Sequence, residues 1–247
     1  MHPFTKRLLR PFREGLYRAM GVFDDAFLAR DVPVSERLRH SEWQNYLYEL
    51  GNRGGTRVLE VGSREVSGPS IARSRLASAD YIGFDLYDGP NVDVAGDAHR
   101  LSQYFPPQHF DIVYSSACFE HFSMPWVVAH EIAKVLKVGG IAFVETHFCF
   151  SSHQRPWHFF HFTDAGLRAL FSEAVGFECI ESGMSDPLVG RFSRYASPYL
   201  RYRDVPRMYC FSQYLGRKTK NIDHIDWGAV PPSAVVGDTL YPPAEHG

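Results

Sequence analysis

The stretch Arg57-Val58-Leu59-Glu60-Val61-Gly62 constrains this chain more than any other. A short apolar run that stops on a glycine is how a strand buried inside a parallel sheet reads. Comparable runs follow at Tyr81 to Asp85, Val92 to Asp97, Phe110 to Ser115, Ile141 to Phe148 and Phe177 to Glu181. Between them the apolar residues shift to helical spacing. Ser70 to Ala79 is a short helix candidate, residues 124–137 form a longer one ended by Gly139-Gly140, and Thr163 can cap a third that runs to about Val175. Residues 34–50, with Leu38, Trp43, Tyr46, Leu47 and Leu50 on one face and Gly51 as a stop, make a helix before the first strand. Strands alternating with helices predict an α/β fold, a parallel sheet covered on both faces. In such a sheet ligands sit beyond the carboxyl ends of the strands, where the strand order reverses. The residues to watch are therefore Glu60, Gly62, Asp85, Asp97, Ser115 and those after Thr146.

Charge and cysteine content narrow the function. The net charge is -2, so no global basic field exists to hold a phosphate backbone, and a nucleic-acid partner is not expected. The four cysteines contain no CxxC pair, which predicts reduced thiols in a cytoplasmic protein and no zinc or redox motif. There is no apolar run long enough to span a bilayer. Residues 1–20 carry Lys6, Arg7, Arg10, Arg13 and Arg18 between Phe4, Leu8, Leu9, Phe12, Leu16 and Tyr17, without the apolar core of a signal peptide. Two readings fit this segment: a helix packed on the domain or on a second copy of the chain, or a helix lying on a membrane surface. Prolines 231, 232, 242 and 243 predict an irregular tail from residue 219.

Three strand ends carry cofactor chemistry. Gly62 lets the backbone turn sharply and come close to a ligand. A dinucleotide fingerprint needs further glycines at 64 and 67, where Arg64 and Ser67 stand, and no GxxxxGK[ST] occurs; NAD and a phosphate loop are both disfavoured. Asp85 ends the second strand, where a carboxylate can accept both hydroxyls of a ribose. Gly96-Asp97-Ala98 follows the third. Glu60-x-Gly62, Asp85 and Asp97 in this order describe a nucleoside site, with one acid for the ribose and another for an adenine amine.

These pieces resemble class I S-adenosylmethionine-dependent methyltransferases from residue 57 to about 175, and in particular the bacterial branch found with glycan and lipopolysaccharide biosynthesis. The motifs are VLEVGSREVSG, YIGFDL, GPNVDVAGDAHRL, FDIVYSSACFEHF, EIAKVLKVGGIAFVETH and HFTDAGLRALF. The resemblance implies a Rossmann-like, doubly wound, mostly parallel seven-stranded sheet whose last strand, Tyr209 to Lys218, runs antiparallel beside the sixth. It implies domain limits of 56–218, with an insertion at about 184–208, an N-terminal helical extension over 1–55 and a tail over 219–247. It implies S-adenosylmethionine as cofactor, with Glu60, Gly62 and Ser63 at its methionine end, Asp85 at the ribose with Leu86 beside it, Asp97 and Ala98 at the adenine, and Ser115 beneath it; Arg64 would contact the methionine carboxylate or close over it, or else point to solvent or block the pocket. Arg64 departs from the family pattern, which has a second glycine there; Gly68 stands close by.

The acceptor side is marked by histidines. Of 12 in the chain, His147, His153, His158 and His161 follow the fifth strand, and His121 follows the fourth. Imidazole can take a proton from a hydroxyl near neutral pH, which makes His121, His158 and His161 the candidate bases, with Trp157 and Phe160 as an apolar wall. Packed structural histidines are the alternative. His158 and His161 could form a metal pair, but no other ligand spacing supports zinc and no metal is expected. Arg191, Arg194, Tyr195, Tyr199, Arg201, Tyr202, Arg203, Arg207 and Tyr209 suit an anionic or sugar ligand, or equally a solvated or oligomer-facing loop. The strand end Tyr114-Ser115-Ser116-Ala117 lacks the Asn/Asp-Pro-Pro-aromatic pattern of base amino methylation. The expectation is an O-directed methyltransferase acting on a sugar, glycolipid or other small metabolite. A non-catalytic binding or scaffold module with the same fold is the alternative.

Overall fold

The computed structural model describes residues 3–28, 36–66, 68–231 and 233–236. Its strands are β1 (Arg57–Val61), β2 (Asp80–Asp85), β3 (Val94–Ala95), β4 (Phe110–Ser116), β5 (Leu136–His147), β6 (Phe177–Arg191) and β7 (Asp204–Lys218). The helices are α1 (Pro3–Met20), α2 (Trp43–Gly51), α3 (Ala72–Arg75), α4 (Pro125–Val135), α5 (Asp164–Leu170) and α6 (Ser233–Val236). The strands form one sheet in the order β3-β2-β1-β4-β5-β7-β6. Pairing is parallel from β3 through to β5 and antiparallel at β5–β7 and β7–β6. This is the expected Rossmann-like, mostly parallel seven-stranded sheet.

Alternate residues of the central strands feed two cores. Leu59, Val61, Val113, Ala142 and Val144 pack with Val128, Ala129, Ile132 and Ala133 of α4 and Leu167 of α5. Val58, Ile112, Tyr114 and Phe143 face the other way, onto Trp43 and Leu47 of α2 and Leu76 beyond α3. The period of two along each strand sorts side chains between the faces, and both faces are apolar because both are covered. Gly51 closes α2 where a Cβ would come within 2.4 Å of Leu76 Cδ2.

Several boundaries differ from the expectation, each for a tertiary reason. The helix expected over 34–50 begins at Trp43, and residues 34 and 35 lie outside the described set. His40 is held out of it by tertiary bonds: its backbone N–H donates to Ser185 Oγ at 3.2 Å and its Nδ1 lies 3.0 Å from Glu145 Oε1. The Ser70–Ala79 helix shrinks to Ala72–Arg75, because the Asn52 side chain takes over its end, donating to Arg75 O and accepting from Ser78 N. Thr163 does cap α5, accepting from Gly166 N at 2.9 Å, but the helix stops at Leu170 and a separate turn covers Glu173–Val175. The largest difference concerns residues 184–208. They form the outer half of a long β6–β7 hairpin, paired as far as Arg191 and Asp204, in place of an insertion between two finished strands. The tail expected over 219–247 is described only to residue 231 and over 233–236.

Candidate functional site

The strand order reverses between β1 and β4, so the crevice beyond their carboxyl ends is the ligand site of this architecture. Gly62 stands there with φ 89°, and its N–H and that of Ser63 both donate to Phe84 O. A Cβ on Gly62 would meet Cys118 Sγ at 2.6 Å, so both conformation and space demand glycine. The hydroxyls of Ser63 and Ser115 are buried beside this turn with no protein partner. Burial pushes the Cys118 thiol well above its ordinary range, which keeps it neutral and unreactive.

Asp85 closes β2 with a side chain 14% exposed. Its Oδ2 accepts from Arg64 N at 3.2 Å, and its Oδ1 lies 3.3 Å from Arg64 Nε and 3.2 Å from Tyr87 N. Arg64 runs on over the Tyr87 ring. Leu86, next in the chain, is exposed. Asp97 caps the turn Ala98–Gln103, accepting from His99 N at 3.0 Å with the His99 ring nitrogen 2.7 Å away. Burial raises its carboxyl, but these bonds outweigh that and hold it below the usual range. Ala98 is buried at the edge of the core. Glu60 is placed differently. Its carboxylate turns from the crevice to the α2 side of the sheet, where Oε2 accepts from the hydroxyls of Tyr81 and Tyr114, and burial raises its pKa. Gly62, Ser63, Arg64 and Asp85 therefore converge as side chains or backbone, Asp97 and Ala98 lie beyond β3, and Glu60 supports the loop from below. A bared glycine backbone, two orphaned hydroxyls and a partly exposed carboxylate at the crest of β2 are a donor and acceptor set that fits a nucleoside with a charged amino-acid arm.

From Cys118, whose carbonyl accepts the His121 N–H, one turn of chain leads to the loops that follow β4 and β5. Glu120 is fully buried there. Its Oε2 accepts from Thr146 Oγ1 at 2.6 Å, and its backbone carbonyl accepts from Phe159 and Phe160 N–H. His147 Nδ1 lies 2.7 Å from Glu120 Oε1, although no aligned N–H joins the two atoms. Burial raises the Glu120 carboxyl, but the adjacent His147 and Thr146 win and hold it low. His121 donates from Nδ1 to Trp157 O at 2.7 Å. The His153 ring lies 5.0 Å from His121, 4.4 Å from His158 and 5.6 Å from His147, and His158 stands 4.8 Å from His161. Burial, then the neighbouring imidazoles, lower the pKa of His158, and burial does the same to His161. The three candidate bases therefore share one cluster with His147 and His153. Phe160 packs on Phe162, while Trp157 is exposed and contributes its carbonyl more than an apolar wall.

Two residues at the centre carried little signal in sequence. Glu120 lies within FDIVYSSACFEHF and Glu145 within EIAKVLKVGGIAFVETH, and neither motif marks the residue for a role. Glu145 is buried, with Ser116 Oγ and Gln213 Nε2 donating to it and His40 beside it, and the last contact raises the His40 pKa. The arginine and tyrosine segment pairs largely with itself, Arg194 over Tyr195 and Arg191 over Tyr202, on an exposed hairpin end.

Residues 58–144 match the family model described as a methyltransferase domain. No curated protein is similar enough in sequence to count as a match. Among solved structures, the YcgJ protein of Bacillus subtilis is similar at 17% identity and a TM-score of 0.51, covering 73% of this chain and 100% of its own. A SAM-dependent methyltransferase of Archaeoglobus fulgidus aligns at 16% identity and a TM-score of 0.50, covering 71% of this chain and 93% of its own. The 1,6-didemethyltoxoflavin-N1-methyltransferase of Burkholderia thailandensis, solved with its acceptor and S-adenosylhomocysteine, aligns at 13% identity and a TM-score of 0.51 over 89% of this chain and 90% of its own. At such identities the likeness is one of fold. The sheet order and crevice define the class I methyltransferase architecture. With the methyltransferase-domain match across β1 to β5, the chain is a SAM-dependent methyltransferase, and S-adenosylmethionine is its cofactor.

Proposed function

We propose that the enzyme methylates a hydroxyl of a sugar, glycolipid or other small metabolite. The observation that carries this reading is the histidine cluster around Glu120, which begins one turn from the sulfur that touches Gly62. Bound S-adenosylmethionine supplies a methyl carbon on a positively charged sulfur. Gly62, Ser63 and the Arg64 backbone would frame its methionine end, Asp85 with Leu86 its ribose, Asp97 with Ala98 its adenine, and Ser115 its underside. Glu60 would stiffen the loop from beneath. A hydroxyl is a poor nucleophile until its proton leaves, and His121, His158 or His161 is placed to accept it.

We assign this work to residues 56–218, with 1–55 as an N-terminal cover and 219–247 as a tail. Among the described residues no helix is long and apolar enough to cross a membrane. The four cysteines are free thiols, which suits the reducing cytoplasm. Phe12, Leu16, Tyr17 and Met20 are exposed on α1, a surface suited to lipid contact near a glycolipid acceptor or to a second copy of the chain.

The test combines labelled S-adenosylmethionine with fractionated polar and glycolipid extracts. The expected product keeps its label through mild base, as a methyl ether does and a methyl ester does not. Alanine at His121, His158 or His161 should leave cofactor affinity near that of the parent. In at least one of the three, turnover should fall about 100- to 10,000-fold, the usual worth of a general base. Normal turnover in all three variants would place the base elsewhere or make the acceptor an amine or thiolate.

A further inference from the structure

We propose that Glu120, His121 and His153 form a binding site for a divalent transition-metal ion of the kind that prefers imidazole, such as zinc. One ligand atom from each of the three lies within 4.8 Å of the others. Donors on a tetrahedral zinc ion stand about 3.4 Å apart, so the most distant pair must close by about 1.4 Å to complete the site.

The surroundings point each ligand atom inward. A carbonyl oxygen can only accept, so the nitrogen beside it carries the proton. His121 Nδ1 donates to Trp157 O at 2.7 Å, and His153 Nδ1 donates to Ser151 O at 2.9 Å. Both rings are thereby held in the tautomer that offers a bare Nε2. His121 Nε2 stands 3.9 Å from Glu120 Oε1. Glu120 is tied in the same fashion: Oε2 takes the Thr146 hydroxyl, and the buried Oε1 has His147 Nδ1 2.7 Å away on its other side. Outer hydrogen bonds of this kind fix metal-ligating side chains elsewhere. Glu120 Oε1 thus lies among imidazole nitrogens, His147 Nδ1 at 2.7 Å and His121 Nε2 at 3.9 Å, a mixed nitrogen and oxygen setting of the kind that holds zinc. His158 Nε2 is a further buried atom without a partner next to this group.

Two imidazoles and one carboxylate on one side of an ion leave its other positions open, an arrangement suited to zinc, iron, cobalt, nickel or copper more than to magnesium or calcium. On the reading of the enzyme as an O-directed methyltransferase, an open position would hold the acceptor hydroxyl and ease loss of its proton. His121 is then a ligand, and His158 or His161 remains to take the proton. The sequence hid this site because its ligands come from a turn after β4 and a loop after β5, with no spacing that reads as a motif.

Zinc titrated calorimetrically into tag-free, chelator-treated protein tests the site without any methyl transfer. The expected result is one zinc ion per chain, bound at least tenfold more weakly by His153→Ala and by Glu120→Gln, and unchanged in His109→Ala. Glu120→Gln keeps the buried shape, and His153 lies on a surface loop, so circular dichroism should show both variants folded. Absence of zinc binding, or equal affinity in the parent and both variants, would overturn the proposal. Zinc bound as expected with no ether product from any hydroxyl acceptor would uphold the site and sink only the O-directed reading.

Discussion

Asp85 and Glu60 end neighbouring strands, and their surroundings give them different work. Asp85 is partly exposed, and its ion-pair partner Arg64 has a side chain 35% exposed. Such a pair contributes about 0–1 kcal/mol. The guanidinium sits on the oxygen that ribose hydroxyls would need, so Arg64→Ala, which keeps the backbone bond to Oδ2, should tighten S-adenosylmethionine binding by up to about fivefold, as read by calorimetry. Weaker binding would mean that Arg64 grips the cofactor itself. Glu60 is buried against two tyrosine hydroxyls with a raised pKa. A carboxyl whose folded pKa lies above its unfolded value adds stability at low pH, fully present below the unfolded pKa, and loses it as pH rises through the folded one. Denaturation curves of the parent and Glu60→Gln, compared from acid to neutral pH, should therefore diverge in favour of the variant as pH rises. A constant difference across that range would show that Glu60 titrates alike in both states.

At the scale of elements, the join between α4 and β5 depends on a residue from the far strand. Lys218, 1% exposed at the end of β7, donates from Nζ to Ala133 O and Leu136 O at 2.5 and 2.6 Å. Ala133 O belongs to the last turn of α4, whose carbonyls have no partner within the helix, and Leu136 O to the first residue of β5. Lys218→Met keeps the bulk and strands both oxygens, at a cost of about 1–3 kcal/mol for each buried group left unmade. Chemical denaturation should show a loss of at least about 2 kcal/mol; a loss below about 0.5 kcal/mol would mean that water or a neighbour replaces the ammonium. Elements of this sort also show what was legible in the sequence. β1, β2 and β4 were readable because they are buried on both faces and so appear as apolar runs. The outer halves of β6 and β7 were not, because they are exposed, carry Pro187 and Pro206, and take their register from each other. The start of α2 was misplaced because His40 answers to Glu145 and Ser185, residues far along the chain. The positions of the glycine turn and Asp85 could be read from sequence, since both stand at strand ends. The Glu120 cluster could not, since its parts meet only in three dimensions.

The whole molecule sets two half-sites on one crevice. On the proposed reading the cofactor half lies over β1 and β2 and the acceptor half over β4 and β5, with Cys118, close to Gly62, between them. The N-terminal segment closes the far side: Leu38 is fully buried, Trp43 stacks on Phe143 at 4.6 Å, and His40 stacks on Phe211 at 4.0 Å. The central claim is that the crevice beyond β1 and β2 holds S-adenosylmethionine through Asp85. Calorimetry with the parent and Asp85→Ala tests it most directly. The parent should bind one molecule per chain. The variant, folded by circular dichroism, should bind several-fold to about a hundredfold more weakly, as expected when buried polar partners worth about 1–3 kcal/mol are lost. Equal affinity in the two proteins, or no binding by the parent, would contradict the account.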